Sequence, residues 1–505
     1  MPIIVAMDTP KRPTIDADAA YRALLARDAR LDGHLFVGVT STGVYCRPIC
    51  RVRTPKRENC RFFDTPAQAE AAAFRPCLKC RPEIAPGPGL AWSVMDASRT
   101  LARQAAQWLA AHAHAFDEAE ATSLAALARH LGVSDRHLRR IFAAEHGVTP
   151  LQYVQTRRLL LAKQLLTDTS MPVAQVAHAS GFRSLRRFNA AFAGNYRLSP
   201  SRLRRDAVTR SREAREGFTV TLGFREPFDR AALLRFLAQR AIPGVEEVDG
   251  SSVRRTLRGG LLSEAPGWIE GEFLTSRPQL RLRCSESLAP NAGALLAAVR
   301  RWLDLDADPQ AVDTALAALP GGLGLRLPGG LDAFELVVRA VLGQQVTVAA
   351  ARTLAARLVE RFGEPIVTPW AGLTRGFAAP SALAGLEVAQ LAEMGIIRTR
   401  AAAIIAVAQA WPELLPLLLP HAPPQPLIER LCAVSGIGPW TASYVTMRDL
   451  GWADAFPPGD VAVLNAMGLG RGTRAVREAE EQSQAWRPWR SYAVLKLWNS
   501  LEKIA

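Results

Sequence analysis

At 505 residues the chain is too long for one hydrophobic core, and three or four domains are expected. Hydrophobic residues make up 49% and charged residues 22%, ordinary for a globular protein, and no apolar run approaches the ~20 residues that a transmembrane helix needs. Lys and Arg outnumber Asp and Glu by 62 to 47, and the net charge of +15 calls for a polyanionic partner. The first segment, Met1 to Lys11, has one short apolar stretch, no basic run before it and no clear cleavage site. A cytosolic location is therefore expected, with nucleic acid as the polyanion and no membrane partner.

Seven cysteines, an odd number, argue against a disulfide framework in a chain of this size. Five of them lie within 35 residues in an Arg-rich first segment, 1–88. That segment ends in Pro82-Glu83-Ile84-Ala85-Pro86-Gly87-Pro88-Gly89, read as a helix-breaking linker. Cys46 and Cys50 form a Cys-x3-Cys pair, and Cys77 and Cys80 a Cys-x2-Cys pair. Two close pairs are what a tetrahedral four-thiolate zinc site requires, because each short spacing lets both sulfurs face one ion. Cys60 has no near partner and reads as a bystander. By spacing alone the zinc could simply staple a small domain, and iron–sulfur ligation uses the same residue type.

The surroundings add a second reading. Between 40 and 82 there are nine Lys and Arg against three acids, a surface suited to phosphates. The string Thr42-Gly43-Val44-Tyr45-Cys46-Arg47-Pro48-Ile49-Cys50-Arg51, with Phe74-Arg75-Pro76-Cys77-Leu78-Lys79-Cys80, closely resembles the zinc domain of the Ada methylphosphotriester repair proteins. That resemblance implies one Zn2+ on Cys46, Cys50, Cys77 and Cys80, with Cys46 accepting a methyl group from damaged DNA and Arg47 facing the DNA. Ada proteins also carry a Pro-Cys-His-Arg methyltransferase motif, which does not occur in this sequence.

Residues 92–207 read as all-helical. Leu124 to Leu131, Gly132, Ser134 and Leu138 to Phe142 give a helix, a glycine turn, a serine cap and a second helix. Val176 to Ser184 and Phe188 to Phe192 repeat the plan, and 183–205 holds seven Arg and no acid. A generic helical bundle with a basic face would also fit. Ala179-Ser180-Gly181-Phe182 followed by Leu198-Ser199-Pro200 resembles the DNA-binding domain of AraC-type activators. By that resemblance Ser134 and Arg136 open one recognition helix, Arg183 and Arg186 open the other, and RNA polymerase is a further expected partner.

After a polar stretch, Phe218 to Leu222 and Gln279 to Cys284 alternate like strands, so 216–325 reads as an α/β domain. From about 286 the pattern is again helical. Gly436-Ile437-Gly438 between two apolar helical stretches fits a helix-hairpin-helix, whose small residues let backbone N–H groups approach a phosphate. A simple helix C-cap would show the same Gly-x-Gly.

Asp460 follows 22 residues later in Pro457-Pro458-Gly459-Asp460. This pairing resembles the helix-hairpin-helix DNA glycosylase superfamily. Phe334 to Ala349 and Trp486 to Ala493 narrow it to AlkA, the 3-methyladenine glycosylase II type, over about 217–505. The resemblance implies Asp460 as the catalytic carboxylate and a base pocket of Phe236, Trp440, Tyr444 and Trp498. Each of those aromatics could instead be core packing. Gln345 stands where AlkA has its apolar wedge residue, which puts the wedge in doubt. Bifunctional relatives carry a nucleophilic Lys where this chain has Trp440, so neither a Schiff base nor strand nicking is expected. No cysteine follows Cys432, so no C-terminal iron–sulfur cluster is expected, and no organic cofactor either.

The fold class expected is multidomain and mainly α. It comprises a small zinc-bound α/β domain (1–88), an all-α double helix-turn-helix domain (92–207), an α+β AlkA-type N-terminal domain (216–325) and an all-α helix-hairpin-helix domain (326–505). The functional expectation is alkylation repair joined to transcription activation. The competing reading is a DNA-binding regulator with a structural zinc site and an inactive glycosylase-like half.

Overall fold

The computed structural model describes residues 16–87, 97–117, 123–207, 217–419 and 422–502. Residues 88 and 89 of the expected linker and most of the polar stretch before 217 lie outside them. Among the described residues no single helix is long and apolar enough to cross a membrane.

The first unit is a four-stranded sheet in the order Cys60–Phe63, Phe36–Val39, Val44–Cys46, Arg75–Pro76. Its first three strands are antiparallel neighbours, and the last joins Val44–Cys46 in parallel. Helix Pro66–Ala71 starts where Thr65 and Gln68 form a reciprocal capping box ahead of Pro66. Its Glu70 accepts hydrogen bonds from the hydroxyls of Tyr45 (3.1 Å), Thr156 (3.0 Å) and Tyr196 (3.5 Å), tying this unit to the next.

Burial pushes the Glu70 carboxyl up from 4.5 to about 8, against the three hydroxyl bonds. Between those two values the folded chain holds a proton that the unfolded chain has released, so this group's contribution to stability falls as pH rises from 4.5 to about 8. Glu70→Gln keeps the shape and removes the ionisation. Urea midpoints of the variant and parent are expected to agree near pH 5 and to diverge in favour of the variant near pH 8.5.

The two helix-turn-helix units follow as expected. Leu124–His130 and Asp135–His146 form the first, Val173–Ala179 and Leu185–Tyr196 the second, and Pro150–Asp168 joins them. Ser123, Ser134 and Ser184 each cap the helix that follows, and Gly147 in the left-handed region ends Asp135–His146. The second unit shares one continuous core with the α/β domain: Leu165, Phe188 and Phe192 pack in the same cluster as Val220, Leu282 and Trp302.

The expected linker is not a free tether at its start. Pro82–Ile84 is a short turn with Pro82 and Ile84 buried. Glu83 receives Lys163 at 2.5 Å, with both side chains at most 2% exposed, while Arg81 pairs with Asp168 at 2.6 Å. Removing one partner of such a buried pair costs about 3–5 kcal/mol, because the other charge is stranded. The turn therefore clamps the first unit to the long helix.

The α/β domain has five antiparallel strands in the order Phe218–Gly223, Gln279–Cys284, Gly267–Phe273, Ser252–Leu257, Glu246–Asp249. The two strands legible in the sequence are direct neighbours, with Phe218 opposite Cys284. The helical remainder has two cores, one around Phe334, Ile404 and Val445 and one around Met447, Tyr492 and Leu497. Val312, from helix Pro309–Ala315, and Leu316, which follows that helix, belong to the second core.

Candidate functional site

The parallel pairing of Val44–Cys46 with Arg75–Pro76 brings the two cysteine pairs together, since each pair lies at the end of one strand. All four Sγ atoms of Cys46, Cys50, Cys77 and Cys80 lie within 4.8 Å of one another. A tetrahedron with metal–sulfur bonds of about 2.3 Å has edges of about 3.8 Å, so the donor set fits Zn2+. Cys46 is 6% exposed and Cys80 is the most open of the four. Cys60 stands apart, buried, with its thiol donating to the Lys56 carbonyl at 3.3 Å.

Arg47 corrects an expectation. Its side chain turns inward, 4% exposed, where Nε donates to Asp32 at 2.8 Å and Nη1 to the Cys80 carbonyl at 3.1 Å. Its backbone N–H points at the Cys80 sulfur at 3.3 Å. It braces the cysteine cluster rather than facing a phosphate.

On the recognition helices, Ser134 spends its hydroxyl oxygen on the His137 N–H at 3.2 Å, while Arg136 is exposed beside it. Arg186 is exposed on the second recognition helix. Arg183, just before that helix, is exposed but ion-paired with Asp117.

The remaining site residues converge on one cleft of about 1280 Å³ between the α/β domain and the two helical cores. Phe236, Gln345, Gly436, Gly438, Trp440, Tyr444, Asp460 and Trp498 all line it. Asp460 caps helix Val461–Ala466, accepting the Val463 N–H at 2.9 Å. The same oxygen, Oδ1, accepts Trp498 Nε1 at 3.1 Å, and Oδ2 accepts Trp440 Nε1 at 2.9 Å. Two indoles and a backbone amide thus fix a carboxylate that is 8% exposed. Trp440, expected as a wall of the base pocket, also grips the carboxylate through its indole N–H. Gly459, with φ +71°, makes the turn that delivers Asp460, a conformation that resists a side chain.

Trp440 and Tyr444 stack at 5.3 Å and 11°, and Tyr444 lies 6.4 Å from Trp498. Phe236 differs from expectation: the Arg240 and Arg448 guanidinium groups already lie 3.7 Å and 4.8 Å from its ring centroid. Its π-face is therefore engaged by the protein's own cations. Arg448 also lies 5.5 Å from the Tyr444 ring centroid, which leaves Trp440 and Trp498 as the aromatic surface for a ligand.

Two residues that the sequence did not single out hold the mouth of the cleft. Gln344 donates to the Gly436 carbonyl at 2.9 Å and to Thr441 Oγ1 at 3.0 Å. Arg400, the one charged residue among the buried positions of helix Arg398–Gln409, donates to the Gln344 carbonyl, and its place at the head of the apolar run Ala401 to Ala408 was its available signal. They tie the hairpin to the loop that exposes Gln345, which sits at φ +53°.

The hairpin glycines have different duties. Gly436 has φ +87°, and a Cβ there would come 3.0 Å from Ala403 Cβ. Gly436→Ala is expected to cost about 1–2 kcal/mol, read as a lower melting temperature. Helix Pro439–Arg448 begins at Gly438 with no side-chain cap, and a Cβ on Gly438 would meet nothing within 4 Å. Gly438→Ala is expected to leave melting unchanged and weaken duplex binding, measured by titration, if the hairpin meets a phosphate as its glycine pattern predicts.

Family models match in an order that follows these units. The metal binding domain of Ada matches residues 19–83, a helix-turn-helix domain 127–206, the AlkA N-terminal domain 219–332 and the HhH-GPD superfamily base excision DNA repair proteins 338–491. One relative carries the same whole: the "Probable bifunctional transcriptional activator/DNA repair enzyme AlkA" of Mycobacterium tuberculosis is 37% identical over 96% of this chain and 97% of its own. The chain belongs to this bifunctional Ada–AlkA family. Two other relatives divide it between them. The DNA-3-methyladenine glycosylase 2 of Escherichia coli is 37% identical over 55% of this chain and 96% of its own. The bifunctional transcriptional activator/DNA repair enzyme Ada of the same organism is 32% identical over 34% of this chain and 44% of its own. In this family member the cysteine cluster lies in the Ada-type part, and the Asp460 cleft in the AlkA-type part.

Proposed function

We propose that this chain repairs and senses DNA alkylation: a monofunctional glycosylase releases alkylated bases, and a zinc–cysteine centre takes methyl groups from phosphotriesters and signals to a DNA-binding activator. The observation that carries the first part is Asp460, held by Trp440 and Trp498 on the wall of a cleft large enough for an extruded nucleotide. Water adds to C1′ of the sugar as the C1′–N bond breaks, the electron pair leaves with the base, and the surplus water proton passes to solvent. A 3-methyladenine-type cation leaves as a neutral molecule, so no strong acid is required. The Asp460 charge stabilises the positive sugar in the transition state. With tryptophan at 440, no amine is available there for a Schiff base.

At the first site, a bound Zn2+ keeps its sulfur ligands deprotonated at neutral pH and so nucleophilic. The Cys46 sulfur forms an S–C bond to the methyl carbon while the C–O bond to phosphorus breaks, and the repaired phosphate diester leaves as an anion. The spent ligand is a thioether, so the cluster repels DNA less by one negative charge. Arg136, Arg183 and Arg186 belong to the DNA face of the activator, RNA polymerase is its partner, and the nucleoid is where it works. The four domains are 1–88, 92–207, 216–325 and 326–505.

The test is direct. Purified protein should free 3-methyladenine from methylated duplex DNA, and label from methylphosphotriester DNA should enter the wild-type chain but not Cys46→Ser. A chain that frees no base would be a regulator with an inactive glycosylase-like half. Label entering Cys46→Ser would move the acceptor to another cysteine.

A further inference from the structure

Arg448 is buried at the back of the cleft, 5% exposed, and every nitrogen of its guanidinium has an oxygen partner. Nε and Nη2 donate to the carbonyls of Pro328 and Gly329, and Nη1 donates to the Tyr444 hydroxyl at 2.7 Å. A guanidinium can only donate, so the Tyr444 oxygen is the acceptor in this pair. The single hydroxyl hydrogen must point elsewhere, and among the described residues no acceptor takes it. The nearby carboxylates are committed: Glu246 and Glu335 each receive both Arg255 and Arg339, at 2.5–2.9 Å. The ring itself lines the cleft, stacked on the same Trp440 that holds Asp460.

We propose that Tyr444 donates its phenolic hydrogen to the base lodged in the cleft, and that Arg448 is the positioning residue that directs that hydrogen there. The inference rests on the glycosylase reading above and names a donor within that same site. An alkylated cationic base departs neutral and gains little from a donor. An uncharged lesion builds negative charge on a ring nitrogen or carbonyl oxygen as the C1′–N bond breaks, and a hydrogen bond placed there strengthens in the transition state. Burial pushes the Tyr444 phenol up, but the positive charges of Arg448, Arg240 and Arg339 together outweigh it and hold the group below its ordinary value. The donor is thereby a better acid than a free tyrosine.

Single-turnover release is compared on two duplexes, one carrying 7-methylguanine and one carrying hypoxanthine, an uncharged base. Tyr444→Phe keeps the ring and loses the hydrogen. The expected result is a loss of about tenfold or more on hypoxanthine and less than about threefold on 7-methylguanine. Arg448→Gln removes the charge, and the alkaline limb of the hypoxanthine rate profile is expected to move to higher pH, which a purely structural role for Arg448 would not produce. Equal losses on both bases, no loss on either, or an unmoved alkaline limb would overturn the donor assignment. A wild-type chain that releases 7-methylguanine but no hypoxanthine overturns it too. Wild-type protein that releases neither base fails at the glycosylase reading itself, a distinguishable result.

Discussion

Asp460→Asn is expected to lower base release by about a hundredfold or more, the scale seen when a charge aimed at a transition state is removed. The change is nearly isosteric, and asparagine is a good helix cap, so helix Val461–Ala466 should persist. What fails is the electrostatics. Three N–H donors, from Trp440, Trp498 and Val463, converge on two carboxylate oxygens. Asparagine offers one oxygen and an NH2 group, so at least one donor faces another donor, an unmet demand of about 1–3 kcal/mol. The negative charge that balances the sugar is gone as well. Trp440→Phe makes a useful contrast, because it deletes one donor and keeps the charge, and its expected loss is nearer tenfold. Single-turnover release of 3-methyladenine, with circular dichroism to confirm folding, separates the two effects. Equal activity of Asp460→Asn and the parent would remove this residue from the chemistry.

Metal removal should have the other large effect, confined to one end of the chain. Binding of structural zinc supplies about 10–16 kcal/mol in small peptides, more than the whole stability of an ordinary domain. Here the two strands that present the cysteines are three and two residues long, so their ladder alone cannot hold the pairs together. Stripping the metal with a chelator, or Cys50→Ala, is expected to make the Phe36 to Cys80 region protease-sensitive. The Asp460 cleft is built on separate cores, so base release should stay within about twofold of the untreated protein. Limited proteolysis and base release on one sample check both halves of the statement. A parallel loss of glycosylase activity would show that the zinc unit supports the cleft.

The sequence announced its chemistry more clearly than its seams. Cys46, Cys50, Cys77 and Cys80 were legible because thiolate spacing is dictated by one ion, and Asp460 because a glycine–proline turn delivers it beside a glycine hairpin. Strands Phe218–Gly223 and Gln279–Cys284 were legible through alternation. Gly267–Phe273 was harder to read, because Glu270 stands in the middle of it to meet Arg254 at 2.7 Å and Arg283 at 3.2 Å. Such pairs are fixed by register across the sheet and cannot be inferred from one strand. Arg47 misled for a related reason. A basic residue beside a metal ligand suggests a phosphate, but its partner is Asp32, 15 residues upstream, and only the fold shows that the two are buried together. Arg448 and Gln344 escaped notice because their partners are backbone carbonyls and the hydroxyls of Tyr444 and Thr441, groups with no sequence signature.

The core shared by the second helix-turn-helix unit and the five-stranded sheet carries a consequence for how such a protein can be divided. Leu165, Leu166, Phe188 and Phe192 lie in one continuous cluster of buried residues with Val220, Leu282 and Leu295. A chain cut in the 208–216 stretch would leave two bare greasy faces, each inviting aggregation or recombination with the other. The two halves are welded, not strung on a tether. Co-expressed as separate pieces they should find one another again, because each buries the apolar face of the other. The gene that joins them therefore does more than guarantee equal supply: the helix-turn-helix part and the repair part are folded around one core.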